Sequence, residues 1–232
     1  VNINRLLELT KPVATAVVPI SAGRHIYKRE PSFPIAVACD PAFNFVYEAN
    51  IRYLHHLGEV TYFSPLADTS LPDVGFVYLP GGYPELYLAA LSANRQMLQS
   101  IRRYVESGGK LLAECGGMMY LCDEIRDKNG DVYPMAGVLH QSATMENMKL
   151  RLGYRTLLYN ETRLKGHEFH YSRLVEQQNP LPSCAVAYTA KGVETDTPLY
   201  HYKNVWAGYT HLYWADPVGN EWFTKFVIDG NT

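Results

Sequence analysis

The stretch Lys110-Leu-Leu-Ala-Glu-Cys-Gly-Gly-Met-Met-Tyr-Leu-Cys-Asp-Glu124 decides how this chain is read. Leu111, Leu112 and Ala113 form a short apolar run, as in a buried strand. Cys115 then sits on a hard turn, where Gly116 and Gly117 let two backbones pass at a distance a side chain would forbid. Helical character is expected to return over 118–125. A cysteine on such a strand-to-helix turn is pushed out of the sheet over a helix N-terminus, where backbone N–H groups favour the thiolate. With serine, the same arrangement is the nucleophile elbow of α/β hydrolases. A small buried residue filling a tight turn accounts for Cys115 equally well at this stage.

The flanks supply the rest of a sheet. Gly108-Gly109 end a long helix expected over 85–107, in which Leu86, Ala90, Ala93, Met97, Ile101 and Tyr104 recur at spacings of three and four. Before it, Pro80-Gly-Gly-Tyr-Pro84 closes a strand expected over 75–79. Two glycines at the C-terminal end of a parallel strand leave bare N–H groups where ligands bind in such sheets, or make an ordinary turn. Further upstream, Pro34-Ile-Ala-Val-Ala-Cys39 reads as a strand buried on both faces. A helix follows, with Val46, Asn50, Tyr53 and Leu57 on one stripe and Gly58 as its stop. A strand is expected over 59–63. The order predicts an α/β fold, a doubly wound and mostly parallel sheet. After about residue 131 the segments turn short, aromatic and β-branched (150–159, 166–172, 184–190, 205–209). They predict antiparallel strands and hairpins extending that sheet. Residues 222–228 form an expected closing helix.

Net charge is −2, so nothing electrostatic favours nucleic acid or an anionic membrane as partner. No run is apolar enough for a transmembrane helix. The four cysteines (39, 115, 122, 184) lack CxxC spacing, which argues against zinc and disulfides and leads to the expectation of a reducing cytoplasm. Cys39, Cys122 and Cys184 read as core residues. Residues 1–31, with an apparent helix end at 1–9 and proline-bearing linker texture after it, are expected to be the tail of an upstream domain; 32–232 form the domain proper.

A thiol nucleophile needs a base and an oxyanion site. His25, His55, His56, His140 and His201 read as surface or structural residues. In Gly166-His-Glu-Phe-His-Tyr-Ser172 the spacing is not HExxH, and on a strand His167 and His170 face opposite ways. That stretch fits a polar pocket wall or a hydrogen-bonded strand pair. In Gly208-Tyr-Thr-His-Leu-Tyr-Trp214, His211 follows a strand beside the elbow strand. It is either within reach of Cys115 or a core or interface histidine.

Four stretches together, 79–86, 113–121, 166–172 and 208–213, resemble the class I glutamine amidotransferase domain of the cobyrinic acid a,c-diamide synthase and cobyric acid synthase family. The resemblance runs from about residue 32 to the C-terminus and implies a flavodoxin-like glutaminase. It implies Cys115 as nucleophile towards glutamine, His211 as base and then acid, and the Gly81-Gly82 turn with Gly116 as the oxyanion site. It further implies an upstream synthetase domain using ATP and Mg²⁺ to activate corrinoid carboxylates. The chain itself has no GxxxxGK[ST] loop, so no cofactor and no metal are expected on it. Most class I glutaminases carry a glutamate two residues after the histidine. Here Tyr213 stands there, leaving Glu168, Asp216 or backbone contacts as candidates for orienting His211. The same chemistry with another acceptor, a nickel tetrapyrrole or a cell-wall precursor, and a non-catalytic binding module of this fold are the competing readings.

Overall fold

The structure, a computed structural model, describes residues 33–178 and 180–229. The readings of residues 1–31, including His25, lie outside them.

Four strands carry the first half: β1 (Phe33–Ala38), β2 (Gly58–Phe63), β3 (Phe76–Leu79) and β4 (Lys110–Glu114). They alternate with α1 (Glu48–Leu57), α2 (Leu88–Ala93), α3 (Arg95–Glu106) and α4 (Gly116–Leu121). The second half contributes β5 (Glu124–Arg126), β6 (Val132–Pro134), β7 (Ser142–Thr144), β8 (Arg151–Tyr159) and β9 (Thr162–His170). After them come β10 (Arg173–Leu174), β11 (Val186–Thr189), β12 (Glu194–Thr195), β13 (Leu199–Tyr202), β14 (Val205–Gly208) and β15 (His211–Leu212). Helix α5 (Pro217–Thr224) and a wider turn over Lys225–Asp229 follow.

The central sheet runs β2-β1-β3-β4-β14-β13. Its first five strands are parallel, and β13 closes it as an antiparallel hairpin partner of β14. The apolar runs explain why: β3 and β14 are buried along their whole length, and β4 in all but its first residue. Period-two alternation sorts their side chains into two cores. Ala36, Val77, Leu79, Leu111 and Ala113 pack on one face against Met97, Ile101 and Val105 of α3. Ile35, Val37, Phe76, Tyr78 and Leu112 pack on the other against Leu54 of α1, Trp214 and Phe223. No helix among the described residues is long and apolar enough to cross a membrane.

The antiparallel extension of the central sheet is a single strand. The other late strands build two sheets of their own, β12-β11-β8-β9-β15 and β10-β7-β5-β6. The β8–β9 hairpin brings His167 opposite His211 in register.

Three helix expectations change. The long helix is broken at Asn94, whose Oδ1 accepts from Met97 N (3.3 Å) to cap α3. The same side chain donates to the carbonyls of Pro65 and Asp68, each at 2.8 Å. The apolar period continues across the break, so it hides the break from a periodicity argument. Asn94→Ala is expected to cost about 2 kcal/mol, the cap plus the two lost donations, read as a lower urea midpoint with an unchanged slope. The elbow helix ends at Leu121, because residues 124–126 pair with β6 and β7. The closing helix starts at Pro217, capped by Asp216 Oδ1 accepting from Gly219 N (2.7 Å). Cys39 is exposed rather than core, since β1 ends at Ala38, and Cys184 is only partly buried.

Candidate active site

Cys115 lies between the end of β4 and the start of α4 with φ 48° and ψ −106°. A non-glycine residue held there stores backbone strain of about 1–3 kcal/mol. The surroundings hold it: Cys115 N donates to Gly208 O of β14 (2.8 Å), and Cys115 O accepts from Met119 N (3.0 Å). The expectation that the helix terminus favours the thiolate is outweighed. Burial, and next the negative charge of Glu85, push the thiol up to about 12, while the Gly116 N–H pulls the other way. The resting site therefore holds a neutral thiol.

The two glycine turns meet at this elbow. A Cβ on Gly116 would lie 2.7 Å from Pro84 Cδ and 3.2 Å from Gly82 N, so both turns approach as bare backbone. A Cβ on Gly81 would lie 2.2 Å from His211 Cε1. The His211 ring thus rests directly on the first turn, which is why that position tolerates no side chain.

His211 is held from several sides. Asn50, fully buried on α1, donates to Leu212 O (2.8 Å) and accepts from Trp214 N (2.9 Å). Glu114 Oε1 accepts from Leu212 N (3.0 Å). The ring packs against Phe45 (centroids 4.4 Å apart) and stacks with His167 (5.1 Å), which Tyr47 hydrogen-bonds through its hydroxyl. Burial first, then the neighbouring His167 and His170, push the His211 imidazole down to about 3. It is neutral throughout the physiological range.

The carboxylate that sequence reading missed is Glu114, the residue before Cys115. It is buried, and its Oε2 lies 3.9 Å from His211 Nδ1, which has no hydrogen-bond partner. Tyr78 Oη donates to Oε2 at 2.7 Å. The signal was a charged residue inside a buried strand run. Of the earlier candidates, Glu168 is paired with Arg155 (2.6 Å), Asp216 caps α5, and Tyr213 packs edge-on against Tyr47. Burial pushes the Glu114 carboxyl up to about 8 from 4.5, so the folded state holds this proton more tightly than the unfolded chain does. Its contribution to stability is complete below the unfolded range and is lost as pH rises towards 8. Glu114→Gln is expected to flatten the fall in stability between about pH 4.5 and 8, measured as urea midpoints across that window.

A cavity of about 290 Å³ is lined by Cys115, His211, His167, Phe45, Phe169 and the Gly82–Tyr83 turn. Two others, of about 340 and 420 Å³, contain neither Cys115 nor His211; chemistry, not size, selects the site. His167 lines the Cys115 cavity, whereas His170 stacks on Tyr209 (3.8 Å). The 166–172 stretch is thus a pocket wall and a strand pairing at once. His55, His56, His140 and His201 are exposed.

A strained cysteine elbow on a doubly wound sheet, sharing a cavity with a buried histidine, defines the class of fold: an α/β domain with a cysteine at the strand-to-helix turn. Solved structures agree on the fold. A glutamine amidotransferase aligns over 83% of this chain and 98% of its own, with TM-score 0.54 and 16% identity. PurLQS from Thermotoga maritima aligns over 78% and 87%, with TM-score 0.53 and 18% identity. The chain belongs to the CobB/CobQ-like glutamine amidotransferase domain family, whose pattern matches residues 34–218. It is 40% identical over 185 residues to hydrogenobyrinate a,c-diamide synthase of Pseudomonas aeruginosa, covering 77% of this chain and 41% of that protein. Cobyrinate a,c-diamide synthase of Fusobacterium nucleatum is 40% identical over 188 residues, with coverage of 77% and 41%. The chain thus spans less than half the length of these curated relatives.

Proposed function

We propose that this chain is the glutaminase part of an ATP-dependent amidotransferase, and that its ammonia amidates the a- and c-carboxylates of a corrinoid such as cobyrinic acid. The observation that carries the glutaminase reading is the shared cavity of Cys115 and His211 beside the meeting point of the Gly82 and Gly116 turns. The acceptor rests on the relatives' names alone.

Cys115 Sγ bonds to the side-chain amide carbon of glutamine while its proton passes to His211. Glu114 holds the histidine's strand through Leu212 N and faces Nδ1 as a largely neutral carboxyl, since burial pushes it up to about 8, so it positions the ring rather than supplying a charge. The oxyanion is taken by the N–H groups of Gly82 and Gly116, with Gly81 leaving room for the histidine. His211 returns the proton to the departing nitrogen, which leaves as ammonia. Water, deprotonated by His211, then cleaves the γ-glutamyl thioester to glutamate and restores the thiol.

The synthetase part is proposed to precede this domain, with residues 1–31 as its tail. ATP and Mg²⁺ are assigned to that part. The test is glutamate release from glutamine by this chain and by Cys115→Ala. Release by wild type alone supports the reading, and release by both contradicts it. The acceptor is tested in the full-length enzyme with ATP and Mg²⁺: formation of the a,c-diamide from cobyrinic acid is expected. Amidation of a nickel tetrapyrrole instead would move the acceptor and leave the glutaminase reading intact.

A further inference from the structure

Beside the Cys115 cavity lies a narrow cleft between the 82–85 turn and residues 169–172. It shares Gly82, Tyr83, Cys115 and Phe169 with the larger cavity and adds Glu85, Met119, His170, Tyr171 and Ser172. Its volume is about 10 Å³, roughly the room one water-sized group needs.

Of the polar side chains that this cleft adds, Ser172 Oγ is committed to Met119 Sδ and Tyr209 Oη (3.2 Å each) and Tyr171 is exposed, which leaves Glu85 and His170 as its acceptors. Glu85 sits in the single turn Pro84–Leu86 that follows the Gly81–Gly82 turn, so its place relative to the elbow is fixed. No lysine or arginine lines the cleft. Burial raises the Glu85 carboxyl, relieved only by its own backbone N–H. His170 is 6% exposed, and its Nδ1 donates to Ser172 O (2.9 Å). That bond fixes the neutral tautomer, so Nε2 carries a lone pair, and Nε2 is buried without a partner. A carboxylate and an imidazole lone pair beside a space for one small group suit a compact cation with several donors.

We infer that this cleft is the subsite for the α-ammonium of glutamine, with Glu85 and His170 as its acceptors. The inference rests on the glutaminase reading and deepens it. The substrate amide sits at Cys115, and its amino end anchors beside the same turn that supplies the oxyanion donor. Anchoring also acts on the nucleophile. The Glu85 charge opposes thiolate formation at Cys115. An ammonium bound to Glu85 neutralises that charge, so the thiol becomes easier to ionise when the substrate is in place.

The test uses three electrophiles on this chain, with the adduct located by mass spectrometry: the diazoketone analogue of glutamine, its counterpart lacking the α-amino group, and iodoacetamide. Wild type is expected to take the amino-bearing analogue at Cys115 about 10- to 100-fold faster than the des-amino one, the worth of one charge-assisted contact. Glu85→Gln is expected to bring that ratio close to one and to take iodoacetamide at least as fast as wild type. Glu85→Asp, which keeps the charge on a shorter arm, is expected to retain part of the preference. A Glu85→Gln chain that keeps the full preference overturns the subsite. So does a wild type that treats both diazoketones alike, as it would if the cleft took only released ammonium. A parallel loss with all three electrophiles in Glu85→Gln makes Glu85 a structural residue and overturns it too. A wild type that takes iodoacetamide at Cys115 but neither diazoketone defeats the glutaminase reading itself.

Discussion

Cys115→Ala is expected to lower glutamate release by about 10⁴-fold or more, because no other thiol can take its place. Cys122 is fully buried with its Sγ at Met118 O (3.5 Å). Cys184 points at Leu199 O (3.1 Å), and Cys39 is exposed beyond β1. Cys39→Ala is accordingly expected to keep wild-type turnover. The charge state of Cys115 is testable in the same protein. With the thiol pushed up to about 12, the thiolate is a small minority at neutral pH and grows about tenfold per pH unit. Iodoacetamide alkylation of Cys115 should climb with that slope from pH 7 to 10. A plateau near pH 8 would instead indicate a preformed thiolate and a site activated before substrate arrives.

His211→Asn is expected to reduce kcat by about 10²- to 10⁴-fold with little change in KM, since it removes proton transfer and leaves the cavity walls in place. Gly81→Ala should imitate it. Its Cβ would fall 2.2 Å from His211 Cε1, and the ring, packed against Phe45 and His167, must leave its position. The pH profile separates this account from one with an ordinary surface histidine. His211, pushed down to about 3, stays neutral above that value, so kcat/KM should show no acidic limb between pH 5 and 7. An activity loss with a midpoint near 6.5 would contradict the buried, neutral base.

What the sequence made legible was local. The apolar run before Cys115, the paired glycines and the order of strands and helices are each set by neighbours along the chain. The structure brings Cys115, Gly82 and His211 to one cavity, with Gly81 beneath the histidine ring. Glu114 escaped notice because its meaning depends on His211, which reaches it only through the pairing of β4 with β14 and the turn into β15. Asn94 escaped because the apolar period runs through it, although asparagine is a favoured cap. The pair Asp216-Pro217 carries a readable helix start, a cap followed by proline at the first helical position, five residues before the expected start at 222. Short aromatic and β-branched segments marked the late strands but could not say which sheet each would join. That choice is made by tertiary neighbours such as the Trp206 and Trp214 core.

The chain spans less than half the length of its curated relatives, so the central claim is best tested on the half-reaction proposed for its own residues. The direct measurement is a rapid acid quench of the chain during incubation with glutamine, followed by mass spectrometry of its cysteine-bearing peptides. The account predicts a glutamyl adduct on Cys115 alone, absent from Cys115→Ala. Glutamate released with no adduct on Cys115, or an adduct on Cys39 or Cys184 instead, would contradict it.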